Sequence, residues 1–205
     1  PQLSVEFFQE NLVFRWRQRG EFGTLVPVRT PTRDSFSELI GVEPIVENLC
    51  QNTAQFVQGF SFNHVLLYGE RGTGKSSAVK ALLGRFADQG LRLIEIGKKD
   101  LFFLPEILEE LRHFPFRFVL FIDDLSFAEG EHDYRELKAI LDGGVEVTPE
   151  NFCLIATSNR RHLLPEYRAE LRGSHVDERG ELRLSEAVDE KLALADRFGL
   201  ALGFY

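Results

Sequence analysis

Methionine is absent from the 205 residues, cysteine occurs twice and tryptophan once. The chain opens on Pro1, so its natural start is expected upstream, and no signal peptide or lipidation motif is visible. Two cysteines are too few for a disulfide framework. Cys50 and Cys153 fall in patterns that read as helix and buried strand, so both are expected as free core thiols in a reducing cytoplasm. The five histidines form no ligand spacing with cysteines or carboxylates, which argues against a zinc site. Long apolar runs are also lacking. The longest, Phe116 to Ile122, is broken by Arg117 and runs into Asp123, well short of the roughly 18 residues of a membrane span. No membrane association is expected. Positive charge is in deficit too: a net charge of −8 argues against holding nucleic acid by broad phosphate neutralisation. Residues 1–33 are the exception, with Arg15, Arg17, Arg19, Arg29 and Arg33 against Glu6, Glu10 and Glu21, a local balance of +2.

What is present suits a single globular core: 43% hydrophobic and 27% charged residues. Gly20, Gly23, Pro27 and Pro31 interrupt any periodicity near the start. Residues 1–33 are therefore expected to form an arm, with a short helix across Val5 to Trp16, lying over a domain at 34–205. From Pro44 a helical spacing of Ile45, Leu49, Phe56 and Val57 runs to a stop at Gly59. His64 to Tyr68 reads as a buried strand, and Val79, Leu82, Leu83 and Phe86 as a helix closed by Gly90. Arg92 to Ile96 is a second strand, followed by a helix with Asp100 as its N-cap and Leu104, Ile107, Leu108 and Leu111 inward. Phe118 to Ile122 and Phe152 to Thr157 are further strands, with a helix at Tyr134 to Leu141 between them. A helix over Glu186 to Phe198 and a strand over Leu200 to Tyr205 end the chain. This alternation implies an α/β fold with a mostly parallel sheet covered on both faces. Arg160 to Ser185 is a long charged connection of the kind that is usually functional.

Gly69-Glu70-Arg71-Gly72-Thr73-Gly74-Lys75-Ser76 fits the pattern G-x-x-x-x-G-K-[ST] between a strand and a helix. Glycines let backbone N–H groups turn inward around phosphate oxygens, and the helix start adds unpaired donors. Lys75 is expected to reach the terminal phosphates of ATP, with Ser77 beside it and the Ser76 hydroxyl on Mg2+. The strand ending Ile122-Asp123-Asp124 lies 48 positions beyond that lysine. Carboxylates there point into the crevice at the carboxyl edge of a parallel sheet. Asp123 is expected to hold the metal, mainly through water, and Asp124 to orient or deprotonate the attacking water. Asn159, directly after another buried strand, can bridge that water and the γ-phosphate.

With these residues in place the chain resembles an AAA+ ATPase module from about Phe36 to Tyr205. The resemblance implies a P-loop NTPase of three α/β/α layers. Its five mostly parallel strands, numbered along the chain, would stand in the order 5-1-4-3-2, with no helical lid before Tyr205. Phe36-Ser37-Glu38-Leu39-Ile40-Gly41-Val42-Glu43 is similar to the segment that packs on adenine, which would bring Leu39, Ile40 and Val42 to the base. Asn159 matches the sensor-1 position. Leu194-Ala195-Asp196-Arg197-Phe198-Gly199 resembles the arginine-finger motif, so Arg197 would act on ATP held by a neighbouring copy, implying a homo-oligomer. Leu66 to Lys80, Phe121 to Phe127 and Thr157 to Tyr167 are more narrowly similar to a bacterial family of predicted AAA+ ATPases with no settled role. Asp124 departs from the glutamate usual after the metal-binding Asp, which implies slow hydrolysis or an extra water.

The expected function is ATP hydrolysis coupled to remodelling or loading a protein or nucleoprotein client. Three alternatives stay open. ATP could gate a binding surface with little turnover. The chain could help on DNA through Phe14-Arg15-Trp16-Arg17-Gln18-Arg19, with Trp16 stacking on a base. A metabolic kinase is the third.

Overall fold

The computed structural model describes residues 3–19, 22–29, 36–126, 135–142, 149–159, 175–176, 182–183 and 194–205. Five runs of apolar residues become the parallel strands β3 (Val65–Gly69), β4 (Leu91–Glu95), β5 (Arg117–Ile122), β6 (Phe152–Ser158) and β9 (Leu200–Phe204). They lie in the order β9-β3-β6-β5-β4. Because side chains alternate across a strand, β3, β4, β5 and β6 each feed two cores, and β9 the second alone. Leu66, Ile94, Leu120, Leu154 and Ala156 face one side. Val65, Leu67, Leu93, Val119, Phe121 and Ile155 face the other.

Helices α2 (Glu43–Gln58) and α3 (Lys75–Phe86) cover the second face, where Leu49, Phe56, Val79 and Leu82 are buried. The stop of α2 is as the sequence implies. Gly59 is left-handed at φ 79°, and the Gly59 and Phe60 amides donate back to Phe56 and Gln55. Helix α4 (Leu104–Leu111) buries Leu104, Ile107, Leu108 and Leu111 against the first face, and α5 (Arg135–Leu141) adds Leu137.

The sheet differs from the expectation in size. It has seven strands, not five, because residues expected as an arm supply two of them. Helix α1 is confined to Val5–Glu10, capped by Ser4, whose hydroxyl accepts from the Phe7 amide at 3.2 Å. Strand β1 (Val13–Arg19) then pairs in parallel with β4, and β2 (Phe22–Pro27) returns antiparallel as the edge. Gly23, which reads as a breaker, is where the Trp16 ring lies flat. A Cβ there would stand 1.7 Å from a ring carbon. Trp16 is 2% exposed, so the alternative in which it stacks on a nucleic-acid base gives way to a core role. Phe8 packs edge-on against Phe14, Phe114 and Phe118, tying α1 to the first core.

Asp100 is a second correction. It sits inside a 3-10 turn, Lys98–Phe103, rather than capping α4, which has no side-chain cap. The expected helix from Glu186 lies outside the described residues except for 194–198, of which 194–196 are helical. Of the expected connection Arg160 to Ser185, only the ribbon of β7 (His175–Val176) and β8 (Leu182–Arg183) is described. No helix among the described residues is long and apolar enough to cross a membrane. Cys50 and Cys153 are free and buried.

His64, just before β3, carries a pH-dependent part of this packing. Its Nδ1 accepts the Leu154 amide at 3.1 Å and its ring stacks on Phe152. Burial lowers its pKa from 6.5 to about 4. The folded state therefore holds the neutral ring while the unfolded chain binds a proton below 6.5, so this contribution is complete above 6.5 and falls as pH drops towards 4. Urea titrations of the wild type and His64→Gln should differ by an amount that shrinks by about 3 kcal/mol over that window, against the wild type.

Candidate nucleotide site

The crevice forms where β3, β5 and β6 end at the same edge of the sheet. Strand β3 delivers Gly69 into the loop, and two glycines there answer to contacts rather than to flexibility alone. At Gly69 (φ 144°) a Cβ would stand 2.0 Å from the Phe204 carbonyl oxygen of β9, and at Gly74 (φ 91°) 2.6 Å from Leu39 Cδ2. Gly74 is also the left-handed cap from which α3 departs, and its carbonyl accepts the Ala78 amide at 2.8 Å. The amides before Ala78 have no acceptor within the helix, which is the donor set a phosphate uses.

Lys75 is 6% exposed. Its Nζ donates to the carbonyls of Gly69 at 2.8 Å and Glu70 at 2.6 Å, and to Thr73 Oγ1 at 3.4 Å. Thr73 Oγ1 in turn donates to the Glu70 carbonyl at 2.9 Å, closing the loop on itself. Burial lowers the Lys75 pKa, and the charges of Asp123 and Asp124 oppose that shift. Glu70, Arg71, Gly72 and Ser77 are exposed around the mouth.

Opposite the loop, a hydrogen-bonded chain joins the residues that the sequence singled out. Ser76 Oγ donates to Asp123 Oδ1 at 2.7 Å. Thr157 Oγ1 donates to the same oxygen at 2.5 Å and accepts the Asp124 amide at 2.9 Å. Asn159 Nδ2 donates to Asp124 Oδ1 at 2.8 Å. Asp124 has φ 56°, the left-handed region, and no other non-glycine residue described does. A hydroxyl and a carboxylate converging beside a phosphate loop are hard oxygen donors, a set that suits Mg2+. Among the described residues no cluster of three or more His, Cys, Asp or Glu side chains could hold a metal by itself. Such an ion would therefore depend on phosphate oxygens as well.

Thr157 was not singled out in the sequence, yet it links Asp123, Asp124 and β6. Its signal was there: a hydroxyl at the end of an otherwise apolar buried strand, 2% exposed, has to find partners.

The remaining expected residues divide. Leu39 lies against Gly74 and so adjoins the loop, and Val42 is buried at the start of α2. Ile40 is 89% exposed. Arg197 is half-buried and its side chain is paired with Asp142, just after α5, rather than with the phosphate loop. Its Nη1 is buried without a partner among the described residues.

Comparison with known proteins agrees with this architecture. A family model described as "Protein of unknown function (DUF815)" matches residues 9–205. No curated protein matches the sequence. Among solved structures, the chain is similar to the Thermotoga maritima RuvB Holliday junction branch migration motor at 23% identity and TM-score 0.49, covering 83% of this chain and 47% of that one. It is similar to DnaI at 18% identity and TM-score 0.50, covering 83% and 87%. Similarity to Aeropyrum pernix ORC1 in complex with DNA is 14% identity at TM-score 0.51, covering 80% and 45%. This chain thus spans about half the length of the RuvB and ORC1 structures. The likeness shows the fold, an α/β P-loop NTPase-like one.

Thr157→Val keeps the strand's shape and removes both hydrogen bonds. Turnover of ATP should fall by about tenfold or more while ADP affinity stays within about threefold, and Thr157→Ser should recover most of the rate. Equal rates for all three proteins would remove Thr157 from the site.

Proposed function

Because the chain belongs to the family described as "Protein of unknown function (DUF815)", we propose its activity from the site itself: Mg2+-dependent ATP binding and hydrolysis within a homo-oligomer. The observation that carries this is the hydrogen bond from Ser76, the last residue of the phosphate loop, to Asp123 at the end of β5. Two polar side chains 47 residues apart meet where the loop presents its amides.

In this reading the amides of Gly72 to Ser76 and the Lys75 ammonium bind the phosphates, Lys75 exchanging its loop carbonyls for phosphate oxygens. Ser76 and Asp123 hold the magnesium, which would neutralise charge developing on the transferred phosphoryl group. Asp124 accepts the proton of the attacking water, and Asn159, bonded to its Oδ1, sets the direction of that carboxylate. Leu39 and Val42 form one apolar wall for the base, with Ile40 available to close over it. Arg197 acts on ATP held by a neighbouring copy. Its pairing with Asp142 gives this a cost: the guanidinium must leave a carboxylate before reaching another subunit's phosphate. Activity is then expected to need assembly. The client would be a protein or nucleoprotein that the oligomer remodels or loads.

A second reading is a nucleotide-gated binding surface with little turnover. It is favoured by Asp124, one methylene shorter than the glutamate usual in AAA+ modules and already engaged by Asn159.

ATP turnover measured against protein concentration separates the two. Specific activity should rise with concentration, and Lys75→Ala and Arg197→Ala should each lower it by about a hundredfold or more. An unchanged rate in Lys75→Ala would sink the hydrolase. Tight ATP binding with flat, negligible activity would leave the gated surface.

A further inference from the structure

Adjoining the nucleotide crevice and sharing Asp123 with it lies a cavity of about 870 Å³. It opens where β1, β4 and β5 end, so the two added strands help to build it. Its buried wall includes Trp16, Ile96 and Phe121, and its charged lining includes Arg15, Arg17, Lys80 and Lys99. Arg15 is committed to Glu95 at 2.5 Å. The side chains of Arg17, exposed, and Lys80, half-buried, have no hydrogen bond or ion pair among the described residues. Two buried polar atoms of lining residues also lack partners there: Trp16 Nε1, a donor, and Asp100 Oδ1, an acceptor. Both residues are under 5% exposed. Buried polar atoms left without partners destabilise the fold unless something supplies the missing bonds.

We propose that this cavity is a second ligand site, for a small organic molecule bearing a phosphate or carboxylate group, bound beside Asp123. The volume is that of a small-molecule cleft. Arg17 and Lys80 supply charge for an anionic head, the guanidinium in a geometry suited to phosphate or carboxylate. Where the strands end, Trp16 and Ile96 of the first core and Phe121 of the second give the cavity floor an apolar character. Three carboxylates in the same lining, Glu95, Asp100 and Asp123, set a boundary that a continuous nucleic-acid backbone would meet with repulsion, whereas a compact anion can sit among the cations alone. Burial raises the Asp100 pKa, opposed by Lys99, which makes that carboxyl the readier to share a proton with a ligand oxygen. Since Asp123 borders both sites, occupancy of one should alter affinity at the other. The site goes beyond the hydrolase reading and stands without it.

Trp16 is the sole tryptophan, so the fluorescence has a single source, a ring of the first core at the cavity's lining. Glycerol 3-phosphate and citrate, titrated into the full chain with and without Mg-ADP, distinguish a phosphate ester from a carboxylate as the preferred head. At least one should change the Trp16 signal saturably, and the same titration should persist in Lys75→Ala, whose phosphate loop is impaired. Arg17→Gln with Lys80→Gln should weaken that binding by about tenfold or more while ADP affinity, which reads the phosphate loop separately, stays within about twofold. No saturable change with either anion, or equal affinity in the double variant, would overturn the proposal. So would tighter binding of a single-stranded oligonucleotide that the double variant abolishes, which would make the cavity part of a nucleic-acid track.

Discussion

Parallel strands buried on both faces must end together, and the site depends on that constraint. Strands β3, β5 and β6 have no solvated face on which to place a polar residue, so polarity collects where the strands run out. Gly69, Asp123 and Thr157 are therefore carried to one edge by three separate segments of chain. The approach of Gly69 to the Phe204 carbonyl shows how tightly the edge is drawn: the turn into the phosphate loop begins while the chain is still packed against β9. Any side chain at position 69 would push β3 away from its neighbour and move the loop with it.

The second determinant is what binds the edge together crosswise. One carboxylate oxygen of Asp123 accepts two hydroxyls, from a helix start and from β6, and the Thr157 hydroxyl relays on to the Asp124 backbone. Asn159 completes the path on the Asp124 side chain. The residues assigned to metal and water thus share a single polar network, in which displacement of any one is felt by the rest, while Lys75 bonds only within the loop.

The phosphate loop, Asp123 and the five apolar strands were legible because each is a local pattern: glycine spacing, an apolar run, a carboxylate at its end. The β1–β2 hairpin was not. Gly20, Gly23 and Pro27 signal interruption, and only the folded contact shows that Gly23 clears space for the Trp16 ring. Alternation in β1 was masked too, since Arg15 and Arg17 flank a buried aromatic and the segment read as a basic arm. Asp100 looked like a cap because a polar residue precedes an apolar helical period, but the chain tightens into a 3-10 turn and takes the carboxylate inside. The partner of Arg197 lies 55 positions away across the fold, at a residue with no motif of its own, and no local pattern could have named Asp142.

The left-handed backbone at Asp124 also bears on which acid stands there. For most L-residues that conformation costs about 1–2 kcal/mol, and Asp and Asn are the side chains that tolerate it, because a short polar group can hydrogen-bond to nearby backbone. Glutamate, with its longer stem, has no such relief. The missing methylene is thus matched to the bend of the main chain: a chain that turns this sharply after β5 selects aspartate, and one that carries glutamate would be expected to leave the strand by a gentler path. The identity of the acid and the course of the backbone are one choice, so exchanging the side chain alone would not convert one geometry into the other.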